Sequence, residues 1–485
     1  MIRSYTSRAV LWHCLLAGIA PSLVAPAGNA AAGPGCTEQV DRLFALLDKE
    51  DSPGAVVGIF EGGGILYARG YGIANLDYGI PLSPRTVLRT GSISKQFIGM
   101  GIALLAEQGR LNVGDDIRKY LPEMPDYGKP ITLAHLLHHT SGIREYLTLV
   151  SLIGKPEGSG YVYTPQDLLA MLARQKALEF NPGERFSYSN SGYFLLAEIV
   201  RRASGTSAST FLEKHIFEPL GMKASRLHDD PDAIIRDRGV GYSPTQDGGY
   251  RLDGLRLKVV GDLGVATSVN DLFNWDQNFY DNKLGSASPQ LIETVLTPGT
   301  LNSGERLDYA YGLIVGRYRG LKTISHGGSE PGYVADYVRF PEQRFSAVAL
   351  SNLGSFSPEQ VTRKIADLCL ADHFTEAQVS VRDEPVPDRT APTRALSASE
   401  MAAYLGEYYS DELEVIYRLR ERDGELHLTI NALSGTVRAR AADHLRWSAG
   451  GAEFLFTRDP SGEISGFSVQ AESVRGLQFT KLDSE

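Results

Sequence analysis

Ser92 and Lys95 stand three residues apart at the start of an apolar stretch, in the sequence RTGSISKQFIGM that begins at Arg89. A serine hydroxyl is a weak nucleophile until a neighbouring base takes its proton. If a helix begins at Ser92, the two residues share one helix face, and the Lys95 amine can reach the Ser92 hydroxyl. Burial among Phe97 and Ile98 would lower the pKa of the lysine toward the range that a base needs. The spacing therefore predicts a serine nucleophile with a lysine base.

A helix that starts at this serine would also supply part of an oxyanion site. Its first backbone N–H groups have no partner within the helix, and the positive end of the helix dipole lies beside them. The alternative is structural, because serine is a good N-cap. In that interpretation Ser92 or Ser94 only starts a helix that runs to about Gln108.

A second candidate element is NPGERFSYSNSGYFLLAEIV, residues 181–200, in which Tyr188 and Asn190 lie in the loop before a long apolar helix. A tyrosine hydroxyl can relay a proton between the serine and a leaving group, and an asparagine amide can hold a substrate carbonyl or the lysine. The structural alternative is a helix capped by Asn190 or Ser191, with Tyr188 packed against it.

The third element is TISHGGSEPGYVADYVRF, residues 323–340, where His326, Gly327 and Gly328 end a β-rich run. Two glycines allow another backbone to approach closely, and the N–H of Ser329 could complete an oxyanion hole opposite the N–H of Ser92. The alternative is a glycine bulge with a histidine on the surface.

Together the three stretches resemble the signature of the serine β-lactamase and penicillin-binding-protein superfamily, which is S-x-x-K, then Y-x-N, then K-T-G or a variant such as H-x-G. The resemblance covers residues 36–373 and includes LLHHTSGI and GDLGVATSVNDLFNW, which are similar to the class C β-lactamase and D-amino-acid peptidase branch. It implies that Ser92 is the acylated nucleophile, Lys95 its base, Tyr188 the proton relay, Asn190 a contact to the substrate amide, and His326, Gly327, Gly328 and Ser329 the strand along which the substrate docks. It implies no cofactor.

His326 departs from the β-lactamase form, because those enzymes usually have a lysine there that attracts the carboxylate of their drug substrate. His-Gly-Gly is more similar to D-aminopeptidases, DD-peptidases and esterases of the family. The resemblance thus implies an acyl-enzyme hydrolase acting on a small molecule or short peptide, foremost a D-amino-acid-containing peptide. Carboxylesterase and β-lactamase activities are the alternatives. A protein of another class, which binds a β-lactam or another ligand without turnover, also stays open.

The surrounding elements indicate an α+β domain. Residues 36–50 have helical spacing, two β-rich runs then flank the glycines at 62–64, and further β-runs follow residue 320. This order predicts an antiparallel sheet built from both ends of a domain and flanked by helices, with an all-helical insert between its halves. The resemblance implies the β-lactamase/transpeptidase-like fold.

The last part of the sequence has a different pattern. Residues 377–397 are rich in proline and charge, as linkers are, and residues 398–485 contain seven or eight short alternating runs that predict a small closed antiparallel β-barrel. This barrel resembles the lipocalin-like module of some related peptidases and hydrolases. The predicted organisation is a signal peptide at 1–32, a hydrolase domain at 33–376, a linker at 377–397 and a barrel domain at 398–485.

The first 32 residues are typical of a secretory signal peptide. Basic residues without an acid precede an apolar run, and small residues favour cleavage near Ala30 to Ala32. No later segment has the continuous apolar length of a membrane span, so no transmembrane anchor is predicted. Lipidation is disfavoured because Gly33-Pro34-Gly35 precedes Cys36. We expect a periplasmic or secreted protein.

The net charge of −10 and the lack of any basic run argue against nucleic acid and anionic membrane surfaces as partners. A small-molecule or short-peptide substrate fits better. The sequence leaves the oligomeric state open.

Cys36 and Cys369 are the cysteines that remain after removal of the signal peptide, which contains Cys14. In an oxidising compartment such a pair is a candidate disulfide, and two free buried thiols are the alternative. The resemblance implies that the first and last helices of the domain lie together against the sheet, which would bring the two cysteines close.

His135, His138 and His139 have a spacing at which helical histidines can bind a metal. No carboxylate or cysteine accompanies them, and LLHHTSGI is similar to a structural helix-to-turn element of the family. We therefore predict no metal site.

Overall fold

A computed structural model of the chain describes residues 35–483, apart from 46, 156–161, 256–257, 378–392, 432, 450 and 472. The predicted signal peptide at 1–32 and most of the predicted linker at 377–397 lie outside these residues. Within the described ranges, none of the helices combines the length and the apolar character needed to cross a bilayer.

A six-stranded antiparallel sheet, the central sheet, organises the first part of the chain. Its strands in spatial order are Ile314–Tyr318, Leu321–Glu330, Tyr333–Phe340, Phe345–Ser351, Ala55–Glu61 and Gly64–Tyr71. Ala55 pairs with Ser351, so the N-terminal hairpin joins the sheet beside the last strand of the later group. The predicted sheet built from both ends of a domain is confirmed.

Two helices cover one face of the central sheet. Gly35–Phe44 and Pro358–Cys369 pack there, with Val40 and Ile365 among the apolar side chains that they bury against the strands. A disulfide joins Cys36 to Cys369 with their Cα atoms 5.3 Å apart, which is the pairing that the resemblance implied. The first helix ends at Phe44, earlier than its spacing over 36–50 predicts.

The chain between the two halves of the sheet is mainly helical rather than all-helical as predicted, because short strands also pair within it. Its α-helices are Ser94–Glu107, Leu133–Leu137, Tyr146–Leu152, Pro165–Ala173, Asn190–Ser204, Ala208–Leu212, Val269–Asn278 and Pro289–Val295. Shorter helical segments in this stretch are Gly91–Ile93, Ile117–Lys119 and Glu213–Phe217, and two more, Pro341–Gln343 and Ala371–His373, lie after it. Small sheets pair Leu88–Arg89 and Arg226–Leu227 with Val265–Thr267, Ile73–Asn75 with Ile80–Pro81, and Tyr242–Pro244 with Tyr250–Leu252.

The helix Ser94–Glu107 runs through the interior, where every residue from Ser94 to Leu105 is buried. This burial explains why the helix from Phe97 to Leu105 is apolar on all sides rather than amphipathic. At Gly99 an added Cβ would lie 2.4 Å from the carbonyl oxygen of Tyr311, so only glycine allows the backbone at Tyr311 to pack this closely against the helix. The helix thereby carries its first turn into the core of the domain.

The C-terminal part is a closed eight-stranded antiparallel barrel, as predicted, preceded by a short helix at Ala398–Tyr404. Its strands are Gly406–Ser410, Val415–Arg422, Glu425–Ile430, Leu433–Ala441, His444–Trp447, Glu453–Arg458, Ile464–Ala471 and Val474–Lys481. Aromatic rings pack inside it, with Tyr417 and Phe479 centroids 4.2 Å apart and Phe467 and Phe479 stacked at 4.8 Å. The barrel interior is therefore filled with side chains.

Candidate active site

Ser92 lies in the short helical turn Gly91–Ile93, which leads directly into the helix Ser94–Glu107. Neither segment has a side-chain N-cap, and the Ser94 hydroxyl instead accepts a hydrogen bond from the backbone N–H of Val265 at 2.9 Å. The capping alternative is therefore wrong. Lys95 donates a hydrogen bond to Ser92 Oγ over 3.0 Å, as the spacing predicted.

Lys95 is fully buried, and its ammonium group has three hydrogen-bond partners. Besides Ser92 Oγ, it donates to Asn190 Oδ1 and to the carbonyl oxygen of Asp262, both at 2.8 Å. Burial lowers the pKa of Lys95 to about 8, against the opposing effect of the Asp262 and Glu145 charges. A substantial fraction of the Lys95 side chains therefore carries a neutral amine at neutral pH, the form that can accept a proton.

The two buried carboxylates beside the lysine were not anticipated from the sequence. Glu145 accepts a hydrogen bond from the backbone N–H of Asn190 at 2.6 Å, and Tyr146 donates its hydroxyl to Asp262 at 2.8 Å. Burial raises the pKa of both carboxyl groups. The one available signal was the acid of Asp262 between glycines in the apolar stretch GDLGVA, where Gly261 has a positive φ of 123°.

Tyr188 lies over the lysine, with its ring centroid 4.8 Å from Lys95 Nζ. Burial raises the pKa of Tyr188, and a hydrogen bond with Ser92 offsets part of that rise, so the phenol keeps its proton at neutral pH. Asn190 begins the helix Asn190–Ser204 but its side chain faces Lys95, and the helix has no side-chain cap. The capping alternative is wrong here as well.

His139 fixes the backbone on both sides of Tyr188. Its carbonyl oxygen accepts from the N–H of Ser187 at 2.8 Å, and its Nδ1 accepts from the N–H of Ser189 at 3.1 Å. The imidazole ring lies 4.3 Å from the Tyr188 ring, centroid to centroid. Burial holds the pKa of His139 well below its usual range, so the ring is neutral and Nδ1 stays an acceptor.

The other two histidines of this motif are also engaged in the fold. His135 accepts from the N–H of Thr132 at 3.1 Å in a capping box, and His138 Nδ1 lies 3.1 Å from the carbonyl oxygen of Tyr309. Among the described residues, no group of three or more potential ligands is arranged to hold a metal ion.

Glycines bring the turn of Ser92 against the strand Leu321–Glu330. A Cβ added at Gly328 would lie 1.9 Å from the carbonyl oxygen of Thr90 and 3.0 Å from the nitrogen of Ser92. One added at Gly91 would lie 2.5 Å from the nitrogen of Ser329. The turn of Ser92 therefore lies directly against the backbone at Gly328 and Ser329, which is the close approach that the two glycines predict.

His326 is buried, so the alternative of a surface histidine is wrong. Its Nε2 lies 2.9 Å from the hydroxyl of Tyr309, and its Nδ1 lies 2.6 Å from the carbonyl oxygen of Gly327. Burial, with the nearby Lys95 charge, lowers the pKa of His326 to about 4. The ring is neutral at neutral pH and offers no positive charge to an anionic substrate.

These groups open onto one cleft of about 620 Å³. The cleft is lined by six of the predicted catalytic and substrate-binding residues, which are Ser92, Tyr188, His326, Gly327, Gly328 and Ser329. Lys95 is hydrogen-bonded to both Ser92 and Asn190. The structure thus brings all the predicted site residues to one place, where a nucleophile, a base and a phenol can act on one carbonyl group.

Known proteins are similar to this chain over most of its length. A family model described as Beta-lactamase matches residues 40–372. A penicillin-binding protein of Bacillus subtilis (strain 168) is 30% identical over 393 residues, which cover 76% of this chain and 82% of that protein. A D-aminopeptidase of Gluconobacter oxydans (strain 621H) is 27% identical over 397 residues, or 78% of this chain and 74% of that protein.

Solved structures agree on the fold. The octameric penicillin-binding protein homologue from Pyrococcus abyssi matches with a TM-score of 0.61 at 24% identity, over 92% of this chain and 100% of that one. The family match spans most of the chain and includes the serine, the lysine and the glycine-rich strand described above. This chain belongs to the beta-lactamase family and is a serine hydrolase.

Proposed function

We propose that the protein works through an acyl-enzyme formed on Ser92, with Lys95 as the base and Tyr188 as the proton relay. The observation that carries the proposal is the 3.0 Å hydrogen bond between Lys95 Nζ and Ser92 Oγ. The lowered pKa of the lysine, about 8, supports it because the neutral amine can accept the serine proton.

In the proposed cycle the proton of Ser92 Oγ passes to Lys95, and Oγ bonds to the substrate carbonyl carbon. The negative charge then develops on the carbonyl oxygen between the N–H groups of Ser92 and Ser329. Tyr188 donates its proton to the leaving amine or alcohol as the bond to carbon breaks, and regains one from Lys95. Water then attacks the ester by the same route in reverse, which frees the acid and Ser92.

The proposed substrate is an amide or ester of a D-amino acid, in a short peptide. Relatives named D-aminopeptidase support this choice. The neutral His326 also supports it, because a β-lactam or a free peptide C-terminus would bring a carboxylate that this ring does not attract. Carboxylesterase activity is the second candidate, since cleavage of an ester uses the same groups. An alcohol leaving group also needs a weaker proton donor than an amine does. β-Lactamase activity is the third.

We also propose that the protein is exported. The disulfide between Cys36 and Cys369 supports this, because such bonds persist in oxidising compartments. N-terminal sequencing of the protein from the periplasmic and culture fractions tests the expected removal of residues 1–32.

The function is tested by incubating the purified protein and a Ser92→Ala variant with D- and L-alanine p-nitroanilide, p-nitrophenyl acetate and nitrocefin. We expect turnover of the D-amide above the L-amide, and none in the variant. Turnover of the ester alone would favour the esterase, and turnover of nitrocefin the β-lactamase. A stoichiometric burst without turnover would favour a binding protein, and wild-type rates in the variant would refute Ser92 as the nucleophile.

A further inference from the structure

The barrel contacts the helical insert through a buried ion pair. Arg144 of the insert donates to Glu412 of the barrel at 2.7 Å, and their side chains are only 1% and 2% exposed. Arg144 also donates to the carbonyl oxygen of Arg475 at 2.9 Å, and Glu412 accepts from the backbone N–H of Lys176 at 2.8 Å. Residues of the insert and residues of the barrel therefore both contribute hydrogen bonds to this ion pair.

The residues next to Arg144 reach the active site. The carbonyl oxygen of Arg144 accepts from the hydroxyl of Ser191 at 2.7 Å, and the N–H of Tyr146 donates to that same hydroxyl at 2.8 Å. Glu145 accepts from the N–H of Asn190, and the Tyr146 hydroxyl donates to Asp262. Arg144–Tyr146, the bridge segment, is therefore bonded to the barrel on one side and to the helix start at Asn190 on the other.

Two partners of the bridge segment, Asn190 and Asp262, also hold the lysine. Asn190 Oδ1 and the carbonyl oxygen of Asp262 are two of the three acceptors of Lys95. A displacement of the bridge segment would therefore move the groups that aim the lysine at Ser92.

We infer that Glu412 of the barrel is a positioning residue for the active site, which it holds in place through the ion pair with Arg144 and the bridge segment. The inference deepens the proposed function and rests on it for the kinetic part only. Glu412 has no contact with the reacting atoms. Its effect comes from tying the bridge segment to the barrel. Without the Glu412 carboxylate, Arg144 keeps Glu179 Oε1 of the insert at 3.2 Å as its carboxylate partner but has no charged partner in the barrel, which favours movement of the segment toward water.

The barrel offers a matched control beside this glutamate. Asp411 pairs with Lys176 across the same boundary, but the two side chains are 55% and 64% exposed. An exposed pair contributes little, so the loss of its charge should leave the bridge segment in place. Glu412→Gln and Asp411→Asn thus remove one charge each from neighbouring positions with different burial.

The first measurement is hydrogen–deuterium exchange on the full chain, in peptides that contain the amides of Tyr146 and Asn190. We expect faster exchange at both amides in Glu412→Gln and wild-type exchange in Asp411→Asn. Wild-type exchange at both amides in Glu412→Gln, or equal acceleration in the two variants, would overturn the inference. This readout needs no substrate, so it decides the inference even if the proposed function fails.

The second measurement is steady-state kinetics on the probe that the wild type turns over. Misplaced catalytic groups slow the chemical step more than binding, so kcat should fall roughly tenfold to hundredfold in Glu412→Gln with KM nearly unchanged. An unchanged kcat would contradict the inference. If Glu412→Gln does not fold, the double variant Arg144→Met/Glu412→Leu, which removes both charges of the ion pair and leaves Glu179 with the backbone N–H of Arg475 as a partner, must show the same faster exchange. Wild-type exchange in the double variant would overturn the inference.

Discussion

The pH dependence of acylation should report the titration of Lys95. Only the neutral amine can take the proton of Ser92, so the acylation rate should rise with pH and level off above the pKa of about 8. Burial lowers the pKa of His326 to about 4 and raises that of Asp336, a buried residue that also lines the cleft, to about 6, so both groups titrate at lower pH than Lys95. A Lys95→Arg variant should show no such limb, because a guanidinium stays charged over the whole range.

The size of the effect follows from the burial of the amine. A lysine with the ordinary pKa of 10.5 is about 0.03% neutral at pH 7, whereas one with a pKa of about 8 is about 10% neutral, a gain of roughly 300-fold in active base. The gain corresponds to about 3.4 kcal/mol. Placing Lys95 in the core at the start of the helix Ser94–Glu107 provides this gain.

The assay is pre-steady-state release of p-nitrophenol from p-nitrophenyl acetate between pH 5.5 and 10. The rate for Ser92→Ala is subtracted at each pH, since the ester also hydrolyses in solution. A limb with its midpoint near 8 supports the argument. A midpoint near 10, or a limb that persists in Lys95→Arg, would show that the amine is not the base.

Three further predictions concern single substitutions. Gly328→Ala would place a Cβ 1.9 Å from the carbonyl oxygen of Thr90, so kcat should fall by roughly 100-fold or more while circular dichroism stays unchanged; full activity would refute the close approach. Asp262→Asn removes a charge that raises the pKa of Lys95, so the acid limb should move to lower pH, and a move to higher pH would contradict this. Cys36→Ser should lower the free energy of unfolding by about 2–5 kcal/mol in denaturant titrations, a difference that reductant should abolish.

The chemistry-bearing residues could be found from the sequence because each lies beside a distinctive local feature. Ser92 and Lys95 precede a long apolar run, Tyr188 and Asn190 precede another, and Gly328 stands in a glycine pair. The central sheet was predictable for a similar reason, since alternation and turns mark its strands. The start of the first long helix was not, because the short turn Gly91–Ile93 depends on contact with a strand far along the chain.

The groups that surround the lysine were beyond a reading of the sequence. Glu145 and Asp262 are single acids outside the regular helices and strands, and apart from the glycines beside Asp262 no local pattern distinguishes them from solvated acids. Arg144 and Glu412 are 268 residues apart, so only the docked barrel reveals their pairing. The burial of His326 likewise depends on its tertiary partners. Local pattern identifies an element or a motif, whereas burial and long-range pairing require the assembled fold.

The central sheet has a consequence for synthesis. The hairpin Ala55–Tyr71 leaves the ribosome early, but its neighbour Phe345–Ser351 is made much later, and Gly54 bonds to Asn352 across a separation of 298 residues. Until then the nascent chain carries an unpaired apolar edge, which is prone to aggregation. Any truncation before Ser351 should therefore yield insoluble product rather than a smaller working enzyme.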